Sequence, residues 1–430
     1  MEPVSLQQVA AATSGRLARA ADPAAPVGPD VVTDSRAVTP GALFVAFLGE
    51  RVDGHDYLDA AASAGAVAAL VDREVDADLP QVVVPDTVAA LALLARDVVT
   101  RAEADGLVVV GITGSSGKTS TKDLLAQVLA DAAPTIAPPG SFNNEIGAPL
   151  TACRVGADTR FLVSEMGARG PGHIRALAEV MRPGIGAVLN VGHAHLGEFG
   201  SVEGIALAKG ELVEALAPEG WAVLNADDPR VIAMALRTGA RLAAFSSHAD
   251  PVATDAALRV WAADVRPDDL QRFSFTLHAA GAVTGSAPVS LRVLGVHQVD
   301  NALAAAAIAL AAGLPLEGSR PRCRPRRRCR AGGWNSSSAR TAWRSSTTPT
   351  TPTPTRCTPR STPWPACAAR AGACWPAWAT CSNSARAPRS STGWSGSTRP
   401  ASGSRSSRWA SSAPRWPRRP PRPGPGRVCC

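Results

Sequence analysis

The chain has 430 residues and a formal net charge of +8, long enough for two or three domains and a sizeable core. That average hides a break: the 113 residues after Glu317 hold 22 Arg and no Lys, Asp or Glu, so the first 317 carry 22 basic against 36 acidic side chains, a net of −14. The body is therefore acidic and speaks against a nucleic-acid partner, and only the tail is basic.

Other counts break at the same place. Eight of the nine cysteines and eight of the ten tryptophans follow Glu317, while Leu, Ile, Met, Phe and Tyr are absent there and Val428 is the single Val. A stretch so poor in aliphatic residues cannot bury enough area to offset its ordering entropy, so 318–430 is expected to be a low-complexity, disordered tail. The tail cysteines show no metal-ligand spacing, and Cys153 alone in the body suits a reducing compartment. The opening "MEPVSLQQVAAATSGRL" lacks the basic and apolar regions of a signal peptide, and no apolar run is long enough to span a bilayer, which gives a cytoplasmic expectation.

Residues 1–105 read as a small α/β unit. "SLQQVAAATSGRL" is an amphipathic helix starting at Ser5, "GALFVAF" and "QVVVPD" are strands, and "DYLDAAASAGAVAALV" is a helix running toward a strand. From 106 to 317 the pattern becomes strand, loop, helix repeatedly. "LVVVGITG", "RFLVSEMG", "GIGAVLNVG" and "WAVLNADD" are apolar runs that end in polar residues, and "NALAAAAIALAAG" is a helix stopped at Gly313. The fold class is thus α/β, with a doubly wound, mostly parallel sheet whose ligands belong at the carboxyl ends of its strands.

Chemistry concentrates at those ends. In "GITGSSGKTST" a strand runs into a glycine loop and then a helix. Gly114 and Gly117 let backbone N–H groups cradle phosphate, Lys118 reaches the β/γ-phosphates, and the Thr119 hydroxyl suits Mg²⁺. Ile112 stands where a strict Walker A motif has its first Gly. Glu165 closes the next strand and suits a second Mg²⁺ contact, although alone it is a solvated strand end. His193 and His195 end another run, as metal or phosphate ligands or as structural histidines. Lys209 falls on a helix, where a surface lysine is the plainer expectation; Asn143 and Asn144 in "GSFNNEIGAPLT" offer neutral donors near phosphate, or ordinary turn chemistry.

Taken together, "TDSR", "DGHDYL", "GITGSSGKTSTKDLL", "GSFNNEIGAPLT", "EMGARGPGHI", "NVGHAHLGEFGSVEGIALAKGEL", "LNADDP" and "GVHQVDNALAAAAIA" occur in one order over residues 5 to 317 and closely resemble the Mur ligases of peptidoglycan synthesis. The "SFNN" and "EMGA" stretches resemble the branch that joins D-alanyl-D-alanine to a UDP-N-acetylmuramoyl tripeptide through an acyl phosphate. The resemblance implies ATP and Mg²⁺ as cofactors, and a monomeric enzyme with a UDP-substrate domain over 1–105 and an ATP-binding domain over 106–317. It implies that Thr113, Gly114, Ser115, Ser116, Gly117, Lys118, Thr119, Ser120, Asn143, Asn144 and Asn301 hold the nucleotide, with Gln298 replacing a more usual Asn. Thr119, Glu165 and His195 match the metal positions. Lys118, Glu165, His195 and Lys209 carry catalysis, with Lys209 at the place of a carbamylated lysine. Ser35, Arg36, Gly54 and His55 match the part that holds the uridine-diphosphate substrate. Another ligase of the family, or a non-catalytic nucleotide-binding regulator, are the alternatives.

The same resemblance implies a third, Rossmann-like domain where the tail stands. Read one nucleotide out of register, each tail residue specifies an unknown base followed by its own first two bases. Under that rule "SSTTPTTPTPTRC" at 345–357 permits "VVNDSYNANPDSM", a loop of the family's third domain, and "WNSSSARTAWRSS" and "CWPAWATCSNSAR" permit "MELVERADGVEVV" and "LLAGLGDMLELGE". The expectation is a frameshift between Leu316 and Arg320. The rival reading takes "RPRCRPRRRCR" at face value, as a polyanion-binding extension.

Overall fold

Ser5 opens the first helix, Leu6–Thr13, as its side chain demands: the hydroxyl accepts from Gln8 N and the Gln8 side chain accepts from Ser5 N, closing a capping box. The computed structural model describes residues 1–192 and 196–319. The sites expected at His193 and His195, and the readings of the tail beyond Ser319, lie outside the described residues.

The N-terminal part builds a five-stranded sheet. Val31–Val32, Leu43–Val45, Ala68–Val71 and Gln81–Val83 run parallel in that spatial order, and Arg16–Ala18 adds antiparallel to the last. Helix Thr87–Ala104 comes next, with the Asp86 carboxylate accepting from Val88 N and Ala89 N at its start. Its Leu91, Leu94, Val98 and Val99 belong to one continuous core with Leu43, Leu70 and Val82 of this sheet and with Leu162, Met166 and Leu177 further along the chain. Apolar burial therefore welds the first sheet to the central part of the chain.

The second sheet has nine strands. In spatial order Thr135–Ile136, Phe161–Glu165, Val108–Thr113, Ile185–Val188, Trp221–Asn225, Arg241–Ser246 and Leu258–Pro267 are parallel. Arg272–Gly281 and Gly285–Leu294 then close the edge as an antiparallel meander. The chain leaves Val108–Thr113, lays strands on one side of it, and crosses to the other at Ile185–Val188. That reversal opens a crevice at the carboxyl end of Val108–Thr113, the place a doubly wound sheet offers a ligand.

Residues 241–294 add four strands beyond the apolar runs read from sequence, three of them ten residues long. The signal of the three long ones is alternation: Leu258, Val260 and Ala262, then Phe275, Leu277 and Ala279, then Ala287, Val289 and Leu291 enter the core at every second position. Half-buried strands of this kind carry no continuous apolar run.

The last long helix, His297–Ala311, packs against both helix Lys118–Ala132 and the strands beneath it. Ala302 through Ala309 are all completely removed from water. Six of those eight side chains are Ala, so the helix lies close to both neighbours. Gly313, at φ +85°, then turns the chain out of the helix. A larger side chain has no space in such a layer. Ala305→Leu is expected to destabilise the body by about 1–3 kcal/mol, read as a lowered midpoint in chemical denaturation.

Candidate active site

Four loop residues carry the chain from strand Val108–Thr113 into helix Lys118–Ala132. Gly117 adopts φ +80°, and a Cβ there would stand 2.4 Å from Asn301 Oδ1, so only glycine fits. The loop is fixed from two neighbouring strand ends. Thr113 Oγ1 donates to Met166 O at 2.9 Å, Ser115 N to Asn190 O at 3.1 Å, Ser116 N to Asn190 Oδ1 at 2.9 Å, and Gly192 N to Ser115 Oγ at 2.8 Å. No side chain caps the helix, so the N–H groups of its first turn, including that of Ser120, are left for an anion.

Glu165 is 1% exposed, and both its partners are neutral: Oε2 accepts from Thr119 Oγ1 at 3.0 Å and Oε1 from Asn143 Nδ2 at 2.9 Å. Ser141 Oγ lies 3.2 Å from Thr119 Oγ1. Lys118 Nζ donates to Gly114 O at 2.8 Å; burial pushes its pKa down and the Glu165 charge draws it part of the way back. The Lys118 charge offsets part of the cost of burying this carboxylate. Grouped with two hydroxyls, Glu165 forms a set of hard oxygen donors that fits Mg²⁺, which keeps waters and takes phosphate oxygens for its remaining positions. Among the described residues no group of three or more His, Cys, Asp or Glu is arranged to hold a metal.

Lys209 is not a surface lysine. It is 7% exposed on helix Val202–Glu214, and its ammonium is pushed down to about 8 by burial first and by the Lys118 charge second. Two residues on, buried Glu211 accepts from Gly172 N at 2.6 Å and Arg175 N at 3.1 Å, pinning this helix to the start of His173–Met181. Asn301 Oδ1 accepts from Thr121 Oγ1 at 3.2 Å, and its Nδ2 donates to Gln298 Oε1 at 3.0 Å. Gln298, which departs from the motif's more usual Asn, thus orients Asn301. The two loop asparagines separate: Asn143 joins Glu165, whereas Asn144 accepts from Gly147 N at 2.8 Å and closes its own turn.

The first-domain candidates form a second group. Ser35 and Arg36 lie in a turn capped by Asp34, whose pKa the Arg36 guanidinium lowers to about 2. Gly54 and His55 open a matching turn capped by Asp53. A Cβ on Gly54 would stand 2.7 Å from Phe47 N, so the backbone approach requires glycine. His55 is 2% exposed, with Nδ1 2.6 Å from Asp53 Oδ1 and Nε2 accepting from Asp72 N at 3.2 Å. Both ring nitrogens are engaged inside the protein, so His55 holds the turn, while the exposed Arg36 is paired with Asp34.

Three participants escape sequence reasoning. Asn190 and Ser141 come after ordinary strand and glycine-loop residues and carry no spacing signal. Lys122 in "GKTSTK" is visible only as a second lysine four residues after Lys118, yet it is 1% exposed. For Lys209 the depressed pKa has a signed consequence. The unfolded chain binds the proton up to about 10.5 and the folded chain only up to about 8, so folding stability rises with pH across that window. Wild type is expected to gain about 3 kcal/mol over Lys209→Met between those limits, read by urea denaturation at stepped pH.

Comparisons with known proteins bear on the family of the chain. Residues 30–103 match the model described as Mur ligase family, catalytic domain, and residues 112–309 match the Mur ligase middle domain. The UDP-N-acetylmuramoyl-tripeptide–D-alanyl-D-alanine ligase of Mycobacterium tuberculosis (strain ATCC 25618 / H37Rv) is 49% identical over 305 residues, covering 66% of this chain and 58% of the relative. The Escherichia coli (strain K12) ligase of the same name is 38% identical over 291 residues, covering 67% and 61%. This chain therefore spans about three-fifths of the length of these curated relatives. Among solved structures, MurF from Acinetobacter baumannii superposes with TM-score 0.67 at 31% identity, over 80% of this chain and 76% of that one. MurF ligase from Thermotoga maritima in complex with ADP gives 0.57 at 29% identity, over 68% and 66%. With both family models matched along its body, and a solved MurF 31% identical and covered over 76% of its length, the chain belongs to the Mur ligase family.

Proposed function

We propose that residues 1–105 and 106–317 are the UDP-substrate and ATP-binding parts of a MurF-type ligase of peptidoglycan precursor synthesis. It joins D-alanyl-D-alanine to a UDP-N-acetylmuramoyl tripeptide, as a monomer in the cytoplasm. One observation carries the reading: Glu165, Thr119 and Asn143 meet beside the glycine loop at the strand reversal. The names of the M. tuberculosis and E. coli relatives supply the reaction, and the ADP complex of the T. maritima neighbour supports nucleotide use. Among the described residues no helix is long and apolar enough to cross a membrane.

In this reading the loop 114–117 and the first turn of helix Lys118–Ala132 hold the ATP phosphates through backbone N–H groups. Lys118 swings from Gly114 O to the β/γ-phosphates, and Asn301, held by Gln298, faces the adenine side. Thr119 and Glu165, with His195, would hold Mg²⁺, which neutralises phosphate charge when bound. The tripeptide carboxylate attacks the γ-phosphorus and ADP departs. The dipeptide amine then attacks the acyl carbon, phosphate leaves and the amide forms. The protein's part is alignment and charge compensation, the two demands of phosphoryl transfer. Lys209, with a neutral amine available near pH 8, is the lysine suited to carbamylation. Ser35, Arg36 and Gly54 take the uridine diphosphate.

The residues after Glu317 enter the same proposal. Their Arg, Ser, Pro and Trp excess and the loop decoded from 345–357 support a third domain lost to a frameshift between Leu316 and Arg320. The 430-residue chain is then expected to bind ATP and to release little ADP in response to UDP-muramoyl tripeptide and D-alanyl-D-alanine. Restoring the frame is expected to recover dipeptide-dependent ADP release. Robust turnover by the chain as written overturns the loss of function. ATP binding without dipeptide-dependent release in the restored chain favours the non-catalytic regulator. Lys118→Ala is expected to weaken ATP binding by about tenfold or more, through loss of a charge-assisted contact to phosphate, measured by calorimetry.

A further inference from the structure

Lys122 carries a buried ammonium that the proposed reaction leaves unused. It sits one turn after Lys118 on the same helix, and its side chain is 2% exposed. The Nζ donates to Pro138 O at 2.9 Å and Gly140 O at 2.8 Å and lies 2.9 Å from Asp123 Oδ1. Three donors meet three acceptors, so the group is fully satisfied. Two of those acceptors are carbonyls of one strap, the chain from Pro138 to Asn144 that links strand Thr135–Ile136 to helix Gly147–Ala152.

That strap delivers two side chains to the site. Ser141 Oγ comes within 3.2 Å of Thr119 Oγ1, and Asn143 Nδ2 reaches Glu165 Oε1 at 2.9 Å. Its far end is tied down where Gly167 N donates to Asn143 O at 2.9 Å. A Cβ on Gly167 would stand 3.0 Å from the Asn143 side chain, so that end is closely fitted. At the near end the side-chain tie to the nucleotide helix comes from Lys122. Burying an ammonium is expensive, and here it joins the helix that grips phosphate to the strap that faces Glu165.

We propose that Lys122 is a positioning residue. By holding Pro138 and Gly140 against helix Lys118–Ala132, it sets Ser141 and Asn143 beside Thr119 and Glu165 and so tunes the site for a divalent cation bound with nucleotide. The inference rests on the nucleotide reading above. Two variants test it from opposite sides of the tie. Lys122→Met removes the donors. Gly140→Val strains the φ +64° backbone whose carbonyl Lys122 holds, at an exposed position where a Cβ meets nothing within 4 Å.

The measurement is ADP affinity of the full 430-residue chain by calorimetry, once in EDTA and once in Mg²⁺, with hydrogen exchange of the strap monitored alongside. In both variants the metal-free affinity is expected to stay within about twofold of wild type, because the loop and Lys118 are untouched, while the Mg²⁺-dependent gain falls about tenfold. The strap amides are expected to exchange faster. An unchanged Mg²⁺ gain in a folded variant overturns the proposal. So does an equal loss with and without metal, which marks a purely structural lysine. If Lys122→Met does not fold, Gly140→Val decides alone. Wild type failing to bind ADP at all sinks the nucleotide reading and this inference with it, whereas wild-type binding with unaltered variants sinks only this inference.

Discussion

Charge crowding at the carboxyl end of the parallel sheet is the constraint that the surrounding structure has to sustain. Glu165 is buried between neutral donors, Lys118 is held down by burial, and Lys209 feels both burial and the Lys118 charge. Left to themselves these groups would move toward water or change protonation. They stay because each rides on an element fixed elsewhere. The Glu165 strand pairs along its length with Val108–Thr113. The Lys209 helix is clamped through Glu211 to the start of His173–Met181. The loop leading into Lys118 is bonded to Asn190, and Thr113 just before it to Met166. The scaffold's apolar burial thus offsets an electrostatic cost gathered in one place.

Much of this was legible in the sequence, for identifiable reasons. Buried parallel strands read as continuous apolar runs, so Val108–Thr113, Phe161–Glu165, Ile185–Val188 and Trp221–Asn225 stood out together with the polar residues at their ends. The glycine loop combined strand, turn and helix in one short span. The meander over 258–294 hid because its strands bury alternate residues and leave the rest in water. Lys209 and Lys122 hid for a different reason. A lysine's letter carries no burial, and only the packing of a neighbouring helix or strap takes it out of solvent. The resemblance places His55 with the substrate-holding residues, and nothing in its letter shows that both its ring nitrogens are bonded within the protein.

The two groups of candidate residues also differ in how they are built. The first-domain turns repeat one device, an aspartate that caps a single helical turn after an extended residue, at Asp34 and again at Asp53. The Arg36 guanidinium lowers the pKa of Asp34, and the His55 backbone N–H, followed by Arg73, lowers that of Asp53. The nucleotide site uses the opposite device, a helix start with no capping side chain. In one place a side chain satisfies the turn's donors, and in the other no side chain does.

The alanine-rich helix has a consequence for fidelity. Alanine has no side-chain rotamers, so a layer made mostly of buried methyl groups sets the distance to the facing helix with little rotamer freedom on its own side. Asn301, at the start of that layer, meets Gly117 and Thr121 with little torsional freedom beneath it. Its aim is therefore set by geometry that thermal rotamer exchange does not blur. A cradle built on such a layer keeps its width, as a rigid gauge does.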